Sequence, residues 1–373
     1  MRTAWLSATL YTDHRQLLLR DPALVADKLA VLAQSPFDFF RGTLPQWVRD
    51  TTEPGAIGAL ATRLEVPAAS HMLLLGDAHL ENLGTWMLDD GHVVVDYDDF
   101  DAATWGPWLH DVRRLATSLH VYFGDRGLAP EALADGVAAA IDGYLMGLDP
   151  AAPDVALGVI AQDLAERARA DAHAPPELTL GPELVPADAV HERLVRALVA
   201  AWPASCAAPC GGVVRQVYRR YGAGVASLPL LRWYVALEPT RPGTSAEVVE
   251  VREVPPPPAL PHAPGLVTWG FAHNAERTVL AQRLFQAGAV IDPQLGFAAI
   301  DRWSVRIKQR RPSNKDLSRS RLDARFGDGT WTTADAVALA RLAGQRLGQA
   351  HRRAPLAPDR AAPAGPVLWS ALA

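Results

Sequence analysis

Residues 71–101, HMLLLGDAHLENLGTWMLDDGHVVVDYDDFD, decide how this chain reads. Two apolar runs, 72–75 and 93–95, each end in acidic groups. The first leads into Gly76-Asp77-Ala78-His79, with Asn82 five residues after the aspartate. The second leads into Asp96, Asp98, Asp99 and Asp101. Between them Asp89-Asp90-Gly91 is a turn signal. Carboxylates, an amide and an imidazole therefore gather at the ends of two short buried segments. Bare carboxylates packed together repel and raise one another's pKa, so such a cluster holds a divalent cation or moves a proton.

Working outward, the chain is expected to alternate helical and β-rich stretches. Helix is expected in parts of 14–50, over 110–123, through the Ala-rich 130–170, and at 189–201 after the Pro-rich connector 172–188. From about residue 211 the segments 213–221, 230–237 and 246–254 are rich in β-branched and aromatic residues and separated by Gly/Pro turns, which suggests an antiparallel meander. A helix over 275–286, a strand near 303–308 and an amphipathic helix over 333–353 follow. The expected organisation is a helical part at 1–205 holding the acidic cluster, a β-rich part at 206–312, and a segment 313–373 whose helix returns to the first part.

Composition sets outer bounds. The chain has 373 residues, 49% hydrophobic and 21% charged, with a net charge of −5. Those values describe an ordinary globular protein with no basic footprint for nucleic acid. No apolar run approaches the ~20 residues of a membrane span, and the N-terminus lacks the apolar core of a signal peptide. A cytoplasmic location is the default expectation. The two cysteines, Cys206 and Cys210, form neither a disulfide framework nor a zinc-ligand set, and read as two thiols.

Oxygen ligands suit magnesium, which keeps several waters and binds together with substrate phosphates. Asn82 and Asp96 could supply such oxygens while Asp77 accepts a proton from a substrate hydroxyl. That division of labour belongs to kinase-type phosphoryl transfer, where the catalytic Asp and the metal-binding Asn stand five apart. The competing reading is that Asp77 and Asp96 cap turns.

LGDAHLENLG, then VVVDYDDFD, then GPWLHDVRRLATSL, together resemble the uncharacterised bacterial family named domain of unknown function 2252. Phe37-Asp38-Phe39-Phe40-Arg41-Gly42 is similar to that family's upstream F-x-F-x-R-G element. The family is grouped with the protein-kinase-like and aminoglycoside-phosphotransferase-like folds, whose motif opens with a His where this chain has Leu75. The resemblance implies an α+β, bilobal protein-kinase-like fold. It implies Asp77 as catalytic base, Asn82 and Asp96 as metal ligands, and His79 as a brace of the loop. Asp111 becomes the structural Asp of the next helix, and Asp99 or Asp101 can share or replace the role of Asp96.

A kinase sets its nucleotide lobe before the catalytic loop, whereas here the β-rich unit follows. Tyr221-Gly222-Ala223-Gly224-Val225 resembles a glycine-rich phosphate loop, with Gly222 and Gly224 letting backbone N–H groups approach phosphate. The ordinary reading of a lone G-x-G is a hairpin turn. Arg252 stands where the family shows a lysine, and Glu276 where that lysine's partner would be. Lys308 is an alternative cation, and Arg41 binds phosphate or pairs with an aspartate. The segment 342–351 resembles the helix that precedes the catalytic loop in phosphotransferases. The order implies a circular permutation, with the helices of 130–200 walling the acceptor pocket.

The expected function is an ATP- and magnesium-dependent phosphotransferase acting on a hydroxyl acceptor, a small molecule before a protein. The alternatives are a pseudokinase or nucleotide-binding scaffold, a metal-dependent phosphoesterase using His79, Asp77, Asp96 and Asp99, and nucleotidyl transfer to a protein.

Overall fold

The computed structural model describes residues 2–52, 71–88, 90–176, 178–222, 224, 227–238, 247–263, 266–268, 270–286 and 292–357. Ala223 and Val225 of the glycine turn, Asp89, and Ala246 of the third expected strand lie outside them. The fold is mixed α+β. Its first half carries α1 (Arg2–Arg20), α2 (Pro22–Leu32), α3 (Pro36–Gly42) and α4 (Leu44–Thr52). These are followed by β1 (Met72–Leu74), β2 (Leu83–Met87), β3 (Val93–Tyr97), β4 (Thr104–Gly106), α5 (Leu109–Asp125), α6 (Pro130–Leu148) and α7 (Val159–Ala170). The strands are short because turn residues punctuate them. They pair as two small antiparallel ribbons, β1 with β4 and β2 with β3.

The second half holds β5 (Leu184–Pro186), α8 (Ala189–Ala201), β6 (Val214–Arg220), β7 (Arg232–Leu237), β8 (Val248–Glu253) and α9 (Asn274–Phe285). Then come β9 (Gly296–Ile300), β10 (Trp303–Gln309), α10 (Arg319–Gly327) and α11 (Thr333–Arg353). Six strands form one antiparallel sheet in the order β5-β6-β7-β8-β10-β9. Strand alternation makes the two faces of this sheet chemically different. One face buries Trp233, Val235, Val249, Val251, Val305 and Ile307 against Val195, Leu198 and Trp202 of α8 and the turn after it. β5 and α8, both ahead of residue 206, thus belong with this sheet; β5 is short and contains Pro186, so its pattern does not announce a strand.

α11 returns across the first half and lies against α6 at backbone contact. A Cβ at Gly344 would run into the carbonyl of Ala140, and one at Gly348 into that of Tyr144. Gly143 and Gly147 face α11 in the same way. Glycine allows this approach because it carries no side chain. α6 is therefore a structural partner of α11. The stretch 130–170 is two helices, broken around Pro153. The main core joins Phe37, Phe100, Trp105, Tyr122 and Phe123 to Phe285 of α9, and Phe100 stacks on Phe285 with ring centres 5.9 Å apart. Cys206 and Cys210 are joined in a disulfide, with Cα atoms 6.2 Å apart, instead of standing as two thiols. The C-x3-C segment between α8 and β6 loops back on itself, which a spacing rule aimed at disulfide frameworks does not register. Among the described residues no helix is long and apolar enough to cross a membrane.

Candidate active site

The loop after β1 is fixed through its backbone before any of its side chains act. Gly76 has φ +79°, and a Cβ there would collide with the carbonyl of Ala102. The N–H groups of Leu75 and Gly76 donate to Asp111 Oδ2 and Oδ1 at 2.7 and 2.9 Å. Asp111, in the first turn of α5, also meets His351 Nε2 of α11 at 3.1 Å. His351 Nδ1 in turn lies 3.0 Å from the Tyr144 hydroxyl. His110 closes the ring with a nitrogen 3.1 Å from the Gly76 carbonyl. A buried carboxylate accepting two N–H bonds holds a loop in one conformation far better than a neutral side chain could.

On this frame Asp77 faces a cleft of about 1170 Å³. Its Oδ1 accepts from Arg114 Nε at 2.7 Å, and its Oδ2 lies 4.0 Å from His79 Nε2. Asn82 Nδ2 donates to the backbone oxygen of Asp77 at 2.8 Å. This uses the amide nitrogen and leaves the oxygen as the atom able to meet a cation. His79 is buried against the edge of Phe37. Burial pushes its pKa down to about 4, so the ring is neutral and suits bracing rather than charge stabilisation. Arg41 pairs with Glu81 and its charge faces Asp77, Asp99 and Asp316.

Arg114 was not singled out from the sequence. It is fully buried on α5 one turn beyond Asp111, with its guanidinium 3.6 Å above the Phe40 ring. The available signal was an arginine on the apolar stripe of a helix.

The acidic run after β3 splits between two environments. Asp99 and Asp101 line the cleft and meet Arg252 of β8, at 3.6 Å for Asp99 and in closer contact for Asp101. Arg306 Nη1 reaches Asp101 at 3.5 Å. Burial alone would raise the pKa of Asp99, but Arg252 and Arg306 outweigh it and hold the carboxyl well below the usual range. Asp101, Asp99 and Glu250 in turn keep Arg252 above its ordinary value against burial. Asp98 behaves oppositely: burial and the neighbouring Asp316 carboxyl raise it well above the usual range. It is packed beneath Gly84, where a Cβ would meet Asp98 Oδ2 at 2.5 Å.

Asp96 is not brought to this group. It is 7% exposed, accepts from the Tyr97 N–H at 2.8 Å, and faces Arg346 and Arg353 of α11. Burial pushes its pKa up to about 6 against those arginines. Of the carboxylates expected to ligate a metal, Asp99 lines the cleft and Asp96 does not. Glu276 is not brought to Arg252 either. It caps its own helix, accepting from the N–H groups of Ala272 and His273 at 2.6 and 3.3 Å. Lys308 sits over the Trp86 ring at 5.7 Å, outside the cleft lining. Of the two turn glycines, Gly224 (φ +77°) lines the cleft, whereas Gly222 (φ +69°) packs by Glu183.

The cleft's other wall is not the helices of 130–200. It is built from α1, α2 and α4, through Leu10, Leu17, Lys28 and Leu44, and from the proline run 255–258 with Leu260. Among the described residues no three His, Cys, Asp or Glu side chains form a closed metal cage. Magnesium does not require one, since it takes one or two carboxylates and completes its shell with water and phosphate. Asp99 and Asn82, both on the cleft, fit that need.

The chain matches the model of a family described as an uncharacterized protein conserved in bacteria, DUF2252, over residues 20–178 and 178–366. It belongs to that family. No curated protein and no solved structure matches it.

Proposed function

We propose that this protein is an ATP- and magnesium-dependent phosphotransferase that acts on a hydroxyl acceptor, built as a circularly permuted, bilobal kinase-like fold. The observation that carries the reading is one cleft shared by distant parts of the chain. Asp77, Asn82 and Asp99 come from one half, and Gly224 and Arg252 from the other. The element order supports it. A glycine turn joins β6 to β7, a cation stands on β8, α9 follows, and β10 runs on toward the helical half. That is the order in which a kinase nucleotide lobe presents these parts, with the helical half moved ahead of it.

In the proposed reaction the acceptor oxygen attacks the terminal phosphorus of ATP in line with the bridging oxygen. The bond from phosphorus to the bridging oxygen breaks, its electron pair leaves with ADP, and the hydroxyl proton passes to Asp77. Arg114 and the Asp111 frame hold Asp77 in place, so positioning supplies much of the rate, as expected for a loose phosphoryl transition state. Asn82 and Asp99 would hold magnesium, which neutralises phosphate charge. Arg252 would face the phosphates. The apolar wall formed by α1, α4 and the proline run offers room for a small-molecule acceptor, since ligand sites are mostly apolar with a few placed polar groups.

A second reading has one observation in its favour. Arg252 is already paired with both Asp99 and Asp101, as suits a nucleotide-binding protein without turnover. Labelled ATP with magnesium and a metabolite pool separates the two. Transfer of label supports the phosphotransferase, binding without transfer supports the scaffold, and no binding at millimolar nucleotide rejects both.

A further inference from the structure

The register of the large sheet sets Arg232 of β7 opposite Arg252 of β8, and Arg252 opposite Arg306 of β10. Three guanidinium groups thus stand abreast on three neighbouring strands, on the face opposite the apolar one. Glu250 and Lys308 continue that face, paired across the same strands. Like charges set directly opposite on a sheet destabilise it, and buried guanidinium groups are costly unless well paired. Yet Arg252 is 8% exposed and Arg306 only 1%.

The pairing they do have is incomplete. Arg252 Nε, Arg306 Nε and Arg306 Nη1 make no hydrogen bond among the described residues, nor do the two carboxylate oxygens of Asp101. Arg252 and Arg306 meet Asp101 as ion pairs, and Glu250 pairs with Arg232 at 3.3 Å and with Arg306 at 3.5 Å. Arg232 extends the row to the glycine turn, donating to Ser227 Oγ at 3.2 Å, and Ser227 and Gly224 both line the cleft.

We propose that this arginine row is a binding surface for a polyphosphate chain carried as its magnesium complex, so that the donor is recognised through its phosphates and not through its base. The proposal rests on the phosphotransferase reading and adds Arg232 and Arg306 to the site. In the exchange magnesium takes the Asp99 carboxylate, and Arg252, the guanidinium paired with it, turns to the phosphates. Planar forks with unused N–H donors match phosphate oxygens two at a time. A flat heterocyclic base, in contrast, needs an apolar or aromatic slot. On this sheet face Arg252 lines the cleft, with Arg232, Glu250 and Arg306 beside it on the neighbouring positions of the sheet.

Titration calorimetry on the full chain with excess magnesium tests this, using ATP, GTP and inorganic tripolyphosphate as three separate ligands. Dissociation constants within about fivefold of one another are expected. ATP binding more than fivefold tighter than tripolyphosphate overturns the proposal while leaving the phosphotransferase reading intact. Failure of all three to bind at millimolar concentration overturns both. Arg232→Gln, beside the cleft-lining Ser227, is expected to weaken all three ligands alike by about tenfold. A change below twofold, or one confined to ATP, contradicts the row. Arg306→Gln repeats the test at the buried end, and the competition on the unmodified chain stands even if that variant does not fold.

Discussion

Replacing Asp96 by asparagine separates the two environments of the acidic run. The substitution keeps the shape and the oxygen that accepts the Tyr97 N–H while removing a charge that burial disfavours. The carboxyl is raised from 3.8 to about 6, chiefly by burial, with Arg346 only partly offsetting it. The folded state therefore holds a proton that the unfolded state has lost. This favours folding at low pH, and the advantage disappears as pH rises from 3.8 through 6. Above that window the buried charge costs the difference, roughly 2 pK units, or about 3 kcal/mol at 1.36 kcal/mol per unit. Asp96→Asn is thus expected to stabilise the protein by about 1–3 kcal/mol near pH 7.5 and by almost nothing near pH 4. With an unfolding entropy near 2.1 cal/mol/K per residue, the gain in melting temperature is roughly 1–4 °C. Urea unfolding followed by circular dichroism at both pH values measures it, with phosphoryl transfer assayed in parallel and expected to persist. A destabilised variant near pH 7.5 would refute the burial argument. A folded, stabilised variant that has lost transfer would return Asp96 to the metal set.

Three further perturbations probe the frame and the charges. Arg252→Met removes the cation beside Asp99 and Asp101 and is expected to cost about 3 kcal/mol, the cost of leaving a buried charge unpaired. Millimolar magnesium should recover part of that loss, and an unchanged melting temperature without magnesium would contradict the pairing. Gly344→Ala forces a methyl into the Ala140 carbonyl and is expected to destabilise by about 1–3 kcal/mol through overpacking of α6 on α11; a neutral result in thermal melts would count against the backbone contact. His79, lowered from 6.5 to about 4 mainly by burial, contributes stability that is present above pH 6.5 and lost as pH falls through 4. His79→Asn should flatten the stability profile in that window, and an unchanged slope would place the titration elsewhere.

The acidic cluster was legible because turn residues bound it on both sides and its D-x4-N spacing carries chemical meaning. Which of its carboxylates reach the cleft was not. Alternation along β3 puts Asp96 on the α11 side, and the bend after Tyr97 presents Asp99 and Asp101 to Arg252, an outcome decided by packing between the halves. Position alone suggested Glu276 as a cation's partner, but a glutamate in a first helical turn can equally cap its own helix. The three long strands of the meander showed in β-branched residues, whereas β5 and β9 are short and weakly alternating. Arg114 and the wall built by α1 could not be read locally, since each acts through a partner distant in sequence.

Transfer of the terminal phosphoryl group from γ-labelled ATP, measured for the native chain and Asp77→Asn alongside calorimetric binding of magnesium–ATP, tests the central claim most directly. The expected result is nucleotide binding retained in both, with transfer reduced by about a hundredfold to ten-thousandfold in the variant. Undiminished transfer by a folded Asp77→Asn protein would contradict the assignment of the base, and with it the reading of the cleft.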